Sequence, residues 1–234
     1  MIFQVSTFLL LPLLIPQGIY VRKTVPRLPE ADGPRKGLQG RGKKLSLWIL
    51  GDSAAAGVGV EHQQQALSGQ LTSQLQSCNT VNWELDAKTG VNSTELIEKL
   101  KAKNGACYDV VVLSIGVNDV TSFISPKSWA RNIERIAEVL TTKFQAKQVL
   151  FSAVPQMHLF PALPQPLRWW VGLRAKKLDG LLRTTLIKHK HCTYVPITFP
   201  ITSECIASDG FHPGQLAYNV WAKELAQQIQ FKLS

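Results

Sequence analysis

Between residues 45 and 197, five short strand-like runs, apolar or alternating, alternate with stretches that carry a helical pattern. This alternation narrows the fold more than any other feature of the chain. The runs are LSLWILG (45–51), TVNWELDA (80–87), YDVVVLSIG (108–116), KQVLFSAV (147–154) and CTYVPI (192–197). The third is continuously apolar from Val110 to Leu113. A strand with one wet face alternates instead, so this run suits a parallel sheet covered on both sides. The stretches 62–76, 93–103, 125–144, 168–190 and 213–232 read as helices. Asn92 with Glu95 has the form of a capping box, and Ser125 followed by Pro126 that of a helix start. Trp129, Ile133, Ile136 and Leu140 share one helix face, as do Tyr218, Trp221, Leu225 and Ile229. The expected fold class is α/β, a three-layer sandwich in which a five-stranded parallel sheet carries helices on both faces.

In such a sheet, ligands bind beyond the carboxyl ends of the strands. Four loops on that edge each hold a candidate reactive group. Ser53 follows the first strand, in GDSAAAGVG. Gly90 lies in the loop after the second. Asn118 follows the third, in GVNDV. Asp209 and His212 lie in SDGFHPG, before the last helix. A serine hydroxyl is a poor nucleophile at neutral pH unless a base takes its proton and a third group orients that base. His212 can be the base and Asp209 its orienting partner, with Pro213 in the first turn of the last helix. The backbone N–H groups of Ser53 and Gly90 and the Asn118 amide can face a developing oxyanion. Taken singly, His212 reads equally as a packing histidine, and Gly90 and Asn118 as turn formers. Asp52 and Asp119 are expected to hold their loops through backbone hydrogen bonds. The alanines and glycines after Ser53 leave the strand end uncovered, and Gly57 and Gly59 suit the turn into the next helix.

At 234 residues and 45 % hydrophobic, the chain fits one large domain over residues 45–234. Residues 1–20 have no charged side chain and are close to the length that spans a bilayer. Pro12, Pro16, Gln4 and Gln17 interrupt the apolar run, and no basic residue precedes it, so it is no ordinary signal peptide. It reads as a membrane anchor or as a helix packed on the domain. Residues 21–44 form a basic linker of net charge +6, against +4 for the 190 residues that follow. A membrane surface met through residues 1–44 is the expected partner beside the substrate, with the domain facing the cytoplasm by the positive-inside rule. A periplasmic or secreted location is the alternative. The balanced charge of the domain argues against a nucleic-acid partner. Cys78, Cys107, Cys192 and Cys205 lack metal-ligand spacing. They read as small buried thiols, a Cys192–Cys205 bridge being the alternative under oxidising conditions.

Taken together and in this order, the motifs resemble those of the SGNH (GDSL) hydrolase superfamily. The likeness is to its bacterial single-domain esterase and lysophospholipase/thioesterase branch, over about residues 45–232. The first block reads GDSAAAG (51–57), the second is marked by Gly90, the third reads GVND (116–119) and the fifth DGFH (209–212). The resemblance implies a flavodoxin-like sheet, Ser53 as nucleophile and Asp209 and His212 completing a triad. It also implies an oxyanion hole of Ser53, Gly90 and Asn118, an acyl-enzyme route, and no metal or cofactor.

For the substrate, the apolar segment 154–173, with Phe160, Trp169 and Trp170, reads as a wall of an acyl pocket or as helix packing. Phe123 and Ile124, just after Asn118, are candidates for contact with an acyl chain. The leading expectation is a small acyl-ester substrate of short to medium chain, with lysophospholipids and acyl thioesters in the same class. A carbohydrate O-acetyl esterase is the rival. A non-catalytic, membrane-tethered binding module is the rival of another kind; its mark would be loss of the serine, histidine or asparagine, and all three are present.

Overall fold

A computed structural model describes residues 2–197, 202 and 204–233. In chain order the elements are α1 (Ile2–Thr24), β1 (Lys36–Gln39), β2 (Lys43–Gly51), α2 (Leu67–Leu75), β3 (Asn79–Ala87), α3 (Ser93–Ala102), β4 (Val110–Ser114) and α4 (Val117–Thr121). Then follow α5 (Pro126–Thr142), β5 (Gln148–Ser152), α6 (Leu167–Leu186), β6 (Cys192–Val195) and α7 (Gln215–Leu233). The sheet has six strands in the order β1-β3-β2-β4-β5-β6. The five expected strands are all present and parallel. The sixth, β1, was not anticipated; it pairs antiparallel with β3 at the edge, Gly37 opposite Trp83. Its sequence, KGLQ, has no apolar run, and half of it is exposed. It exists because it docks on a ready-made edge, not because of its own strand propensity.

The alternation of side chains along β2 explains why it is apolar from Leu47 to Leu50. Leu45, Leu47 and Ile49 pack with Leu67, Leu71, Leu75, Tyr218, Trp221 and Leu225 of α2 and α7. Trp48 and Leu50 point the other way, into a core shared with α3, α5 and α6. The helix starts follow the expected chemistry. The Asn92 side chain accepts from the N–H groups of Thr94 and Glu95 while Glu95 accepts from the Asn92 N–H. Ser125 caps α5, with Pro126 in its first turn.

Helix α6 ends at Leu186, not at 190, and two helix starts shift by two residues or more. Helix α2 begins at Leu67, not at 62, because buried Gln63 is committed elsewhere. Its amide donates to the carbonyls of Ala31 and Ala56, and its oxygen accepts from the Ser68 hydroxyl. Helix α7 begins at Gln215, because Pro213 forms a β-bridge with Ile206.

Residues 2–24 are one helix despite Pro12 and Pro16. Both prolines are exposed, so the carbonyls that lose a partner can meet water. No described helix is long and apolar enough to cross a membrane, so the expected anchor has no support. Instead α1 lies on α6. The Gln17 amide donates to the Gln165 carbonyl and its oxygen accepts from the Leu167 N–H, while the Trp170 indole donates to the Thr7 hydroxyl. Leu14 is buried in the α3/α5/α6 core. Cys78 and Cys107 are exposed thiols and Cys205 is a buried thiol, so the Cys192–Cys205 bridge does not form.

Candidate active site

The chain runs from β2 outward to β3 on one side and returns to β4 on the other. The crevice at this reversal, beyond the carboxyl ends of β2 and β4, is where ligands bind in such sheets. Ser53 lies there, two residues beyond the end of β2. The turn that carries it starts on Gly51, where an added Cβ would lie 2.3 Å from the Ser114 carbonyl oxygen and 2.7 Å from the Ala55 methyl. Only glycine lets β2 press so closely on the end of β4. Gly59, at φ +108°, passes the Pro213 carbonyl at a similar distance and so seats the serine turn against the His212 loop. Tyr218 of α7 is fully buried beneath this turn. Its hydroxyl lies 2.9 Å from the Ala54 carbonyl oxygen and 2.8 Å from that of Val58.

The structure brings Ser53, His212 and Asp209 into one hydrogen-bonded chain. His212 Nε2 is 2.9 Å from Ser53 Oγ, and His212 Nδ1 is 2.5 Å from Asp209 Oδ2. The other Asp209 oxygen accepts from the backbone N–H groups of Phe211 and His212. Burial acts to raise the Asp209 carboxyl, but these donors together with the imidazole outweigh it and hold the group below its usual range. An ionised Asp209 needs the proton on Nδ1, which leaves the Nε2 lone pair facing the Ser53 hydroxyl.

Two further carboxylates are buried close by, and both hold loops. Asp52 accepts from the Ala54 N–H. Burial, reinforced by the charge of Asp119, pushes it up to about 7, although the Ala54 N–H and His212 pull it down. Asp119 accepts from the N–H and hydroxyl of Ser93, tying α4 to the start of α3. Burial pushes it up to about 6 despite those donors.

A cavity of about 60 Å³ opens beside Ser53 and His212. Phe160, Phe211, Ile115, Ile197, Pro155 and Trp221 supply most of its apolar wall. Gly90 and Asn118 do not border it. Gly90 is exposed at φ +90°, and the Asn118 amide donates to the carbonyl of Val91, the next residue in the chain. Of the residues expected to contact substrate, Phe160 lines this cavity. Phe123 and Trp170 line a second one, of about 420 Å³. Ile124 and Trp169 line neither. Phe211 borders both, and the sequence reading passed over it; its signal was an aromatic ring one residue before the candidate base. Among the described residues, no cluster of three His, Cys, Asp or Glu side chains could hold a metal ion.

No curated protein sequence matches the chain. Solved structures share its fold at low identity. TesA is 17 % identical, with a TM-score of 0.62, over 81 % of this chain and 99 % of its own. A lipase/acylhydrolase from Enterococcus faecalis is 21 % identical, with a TM-score of 0.58, over 80 % and 96 %. Est24, a carbohydrate acetylesterase from Sinorhizobium meliloti, is 18 % identical, with a TM-score of 0.58, over 80 % and 99 %. The family profile of GDSL-like lipases/acylhydrolases matches residues 49–220. With that span covering most of the chain, it belongs to the GDSL-like lipase/acylhydrolase family and is, by that membership, an ester hydrolase.

Proposed function

We propose that the chain is a serine esterase that works through an acyl-enzyme on Ser53. The observation that carries this reading is the chain from Ser53 through His212 to Asp209, opening on an apolar cavity. In the first half-reaction the Ser53 proton passes to His212 Nε2 as Oγ attacks the ester carbonyl. The carbonyl π-electrons move onto its oxygen. Collapse expels the alcohol, whose oxygen takes the proton from His212. A water molecule then repeats the sequence on the acyl-serine and releases the acid. Asp209 keeps its charge throughout and stabilises the imidazolium.

The oxyanion would be met by the N–H groups of Ser53 and Gly90 and by the Asn118 amide. One Asn118 hydrogen is taken by the Val91 carbonyl, which couples this side chain to the Gly90 turn. The other is left to donate.

A second reading, O-deacetylation of carbohydrates, is favoured by one observation. The cavity beside Ser53, at about 60 Å³, suits a short acyl group. Est24 is a solved carbohydrate acetylesterase of this fold. Against it stands the apolar wall, which offers a sugar few hydrogen-bond partners.

Hydrolysis of p-nitrophenyl acetate, butyrate, octanoate and decanoate by wild type and Ser53→Ala tests the mechanism. Labelling of the wild type with an ethyl fluorophosphonate complements it. Activity and labelling that both disappear in Ser53→Ala support it. A folded wild type that is neither labelled nor active on any ester refutes it. Cleavage of acetylated xylo-oligosaccharides in preference to all four esters moves the assignment to the second reading.

A further inference from the structure

The cavity of about 420 Å³ lies outside the catalytic pocket, and one of its walls comes from outside the family-matched region. Helix α1 supplies Leu11, Leu14, Ile15, Gly18 and Arg22 to it. This spacing of three and four residues presents one face of the helix along the cavity. Leu167 and Trp170 of α6 form the opposite wall. Its volume falls in the range of small-molecule sites, about 300–1,000 Å³. The cavity beside Ser53 is several-fold smaller.

One residue borders both spaces. Phe211 lines both, and it is only half-buried. Its ring is 4.9 Å from that of Phe160, which lines the catalytic cavity, and 5.3 Å from the imidazole of His212. A half-buried aromatic ring at this position can change rotamer and open a path between the cavities. Gly18 adds a second observation. No atom lies within 4 Å of where its Cβ would stand. The sequence leaves space here in a helix, where glycine is unfavourable.

We propose that the groove between α1 and α6 is the tail subsite for an amphiphilic ester. The first carbons of the acyl chain lie beside Ser53, and the remainder passes Phe211 into the groove. The exposed Arg22 and the Thr121 hydroxyl are the polar groups of a mostly apolar lining. The helix that resembles a membrane anchor in sequence thus serves as a wall for the substrate. This inference rests on the serine-esterase reading above and narrows its substrate to a chain longer than butyryl.

The test compares p-nitrophenyl acetate and decanoate on the full chain, as wild type and as Gly18→Phe, which fills the groove. Each methylene withdrawn from water is worth roughly four-fold in affinity. Gly18→Phe should therefore raise KM for decanoate at least about tenfold relative to that for acetate. Calorimetric titration of Ser53→Ala with decanoic acid gives a readout independent of turnover. Binding should be present and should weaken at least about tenfold in Ser53→Ala/Gly18→Phe. An unchanged KM ratio, or equal loss on both esters, overturns the inference. So does a wild type that cleaves acetate but not decanoate, and that result leaves the esterase reading standing. Failure of Ser53 to react with the fluorophosphonate, with no ester cleaved, removes the esterase reading and the tail subsite with it.

Discussion

Asp52 is a carboxyl group placed in the core next to the nucleophile, and Asp52→Asn turns that placement into a measurable pH effect. Asp52 is 2 % exposed and accepts a hydrogen bond from the Ala54 N–H. Burial lifts it from an ordinary 3.8 to about 7 in the folded protein. Between these two values the folded state holds a proton that the unfolded state has released. Stability contributed by this group is therefore complete below about pH 4, falls as pH rises, and is gone above about pH 7. A shift of about three units at 1.36 kcal/mol per unit amounts to about 4 kcal/mol. Asparagine has nearly the same shape, keeps an oxygen for the Ala54 N–H and does not titrate. Carboxylates remote from Asp52 titrate alike in both proteins and cancel in the difference. The stability of Asp52→Asn minus that of wild type should then rise by about 4 kcal/mol between about pH 4 and about pH 8. Urea unfolding followed by circular dichroism at constant ionic strength measures this difference. A difference that stays constant within about 1 kcal/mol across the range would refute the reasoning, because it would mean Asp52 ionises as freely in the fold as in water.

Asp209→Asn removes the acceptor that holds the Nδ1 proton, and kcat should fall by about 10³–10⁴-fold with little change in KM; steady-state kinetics on p-nitrophenyl acetate measures it. Asn118→Ala should lower kcat by about 10²–10³-fold, the scale of one lost oxyanion donor, while fluorophosphonate labelling of Ser53 slows as well. Gly51→Ala forces a methyl group onto the Ser114 carbonyl oxygen, 2.3 Å from the ideal Cβ position. It should destabilise the protein by about 3 kcal/mol and show as a lower urea midpoint.

The central parallel strands were legible because both their faces are buried, which leaves an uninterrupted apolar run such as Val110–Leu113, while β3 was legible from its alternation. The start of α3 was legible because its cap is local: Asn92 and Glu95 satisfy each other within four residues. What could not be read depends on partners far away in the chain. The edge strand Lys36–Gln39 forms only because β3 offers an unpaired edge. Gln63 looks like one more polar helical residue until Ala31 and Ala56 claim its amide. The end of α1 that resembles a span is polar where it needs to be, since Gln17 bonds both ways to the Gln165–Leu167 corner. In the candidate site, the residue types and order of Ser53, Asn118, Asp209 and His212 could be read in one dimension. Phe211 could not be assigned a place, because an aromatic side chain acquires a role only when two cavities form on either side of it.

The contact between Ser53 and His212 joins residues 159 positions apart. Closing so long a loop is entropically costly and is recovered only when many other non-local contacts form with it. The serine turn rests on Tyr218, and the His212 loop is fastened by Ala207, Cys205 and Gly214 to the start of the same helix. On the serine-esterase reading, enzymatic competence arrives with the docking of α7, not with the sheet. During refolding, recovery of activity should lag behind recovery of strand signal. Local opening of α7 would switch off turnover while most of the sheet stays hydrogen-bonded.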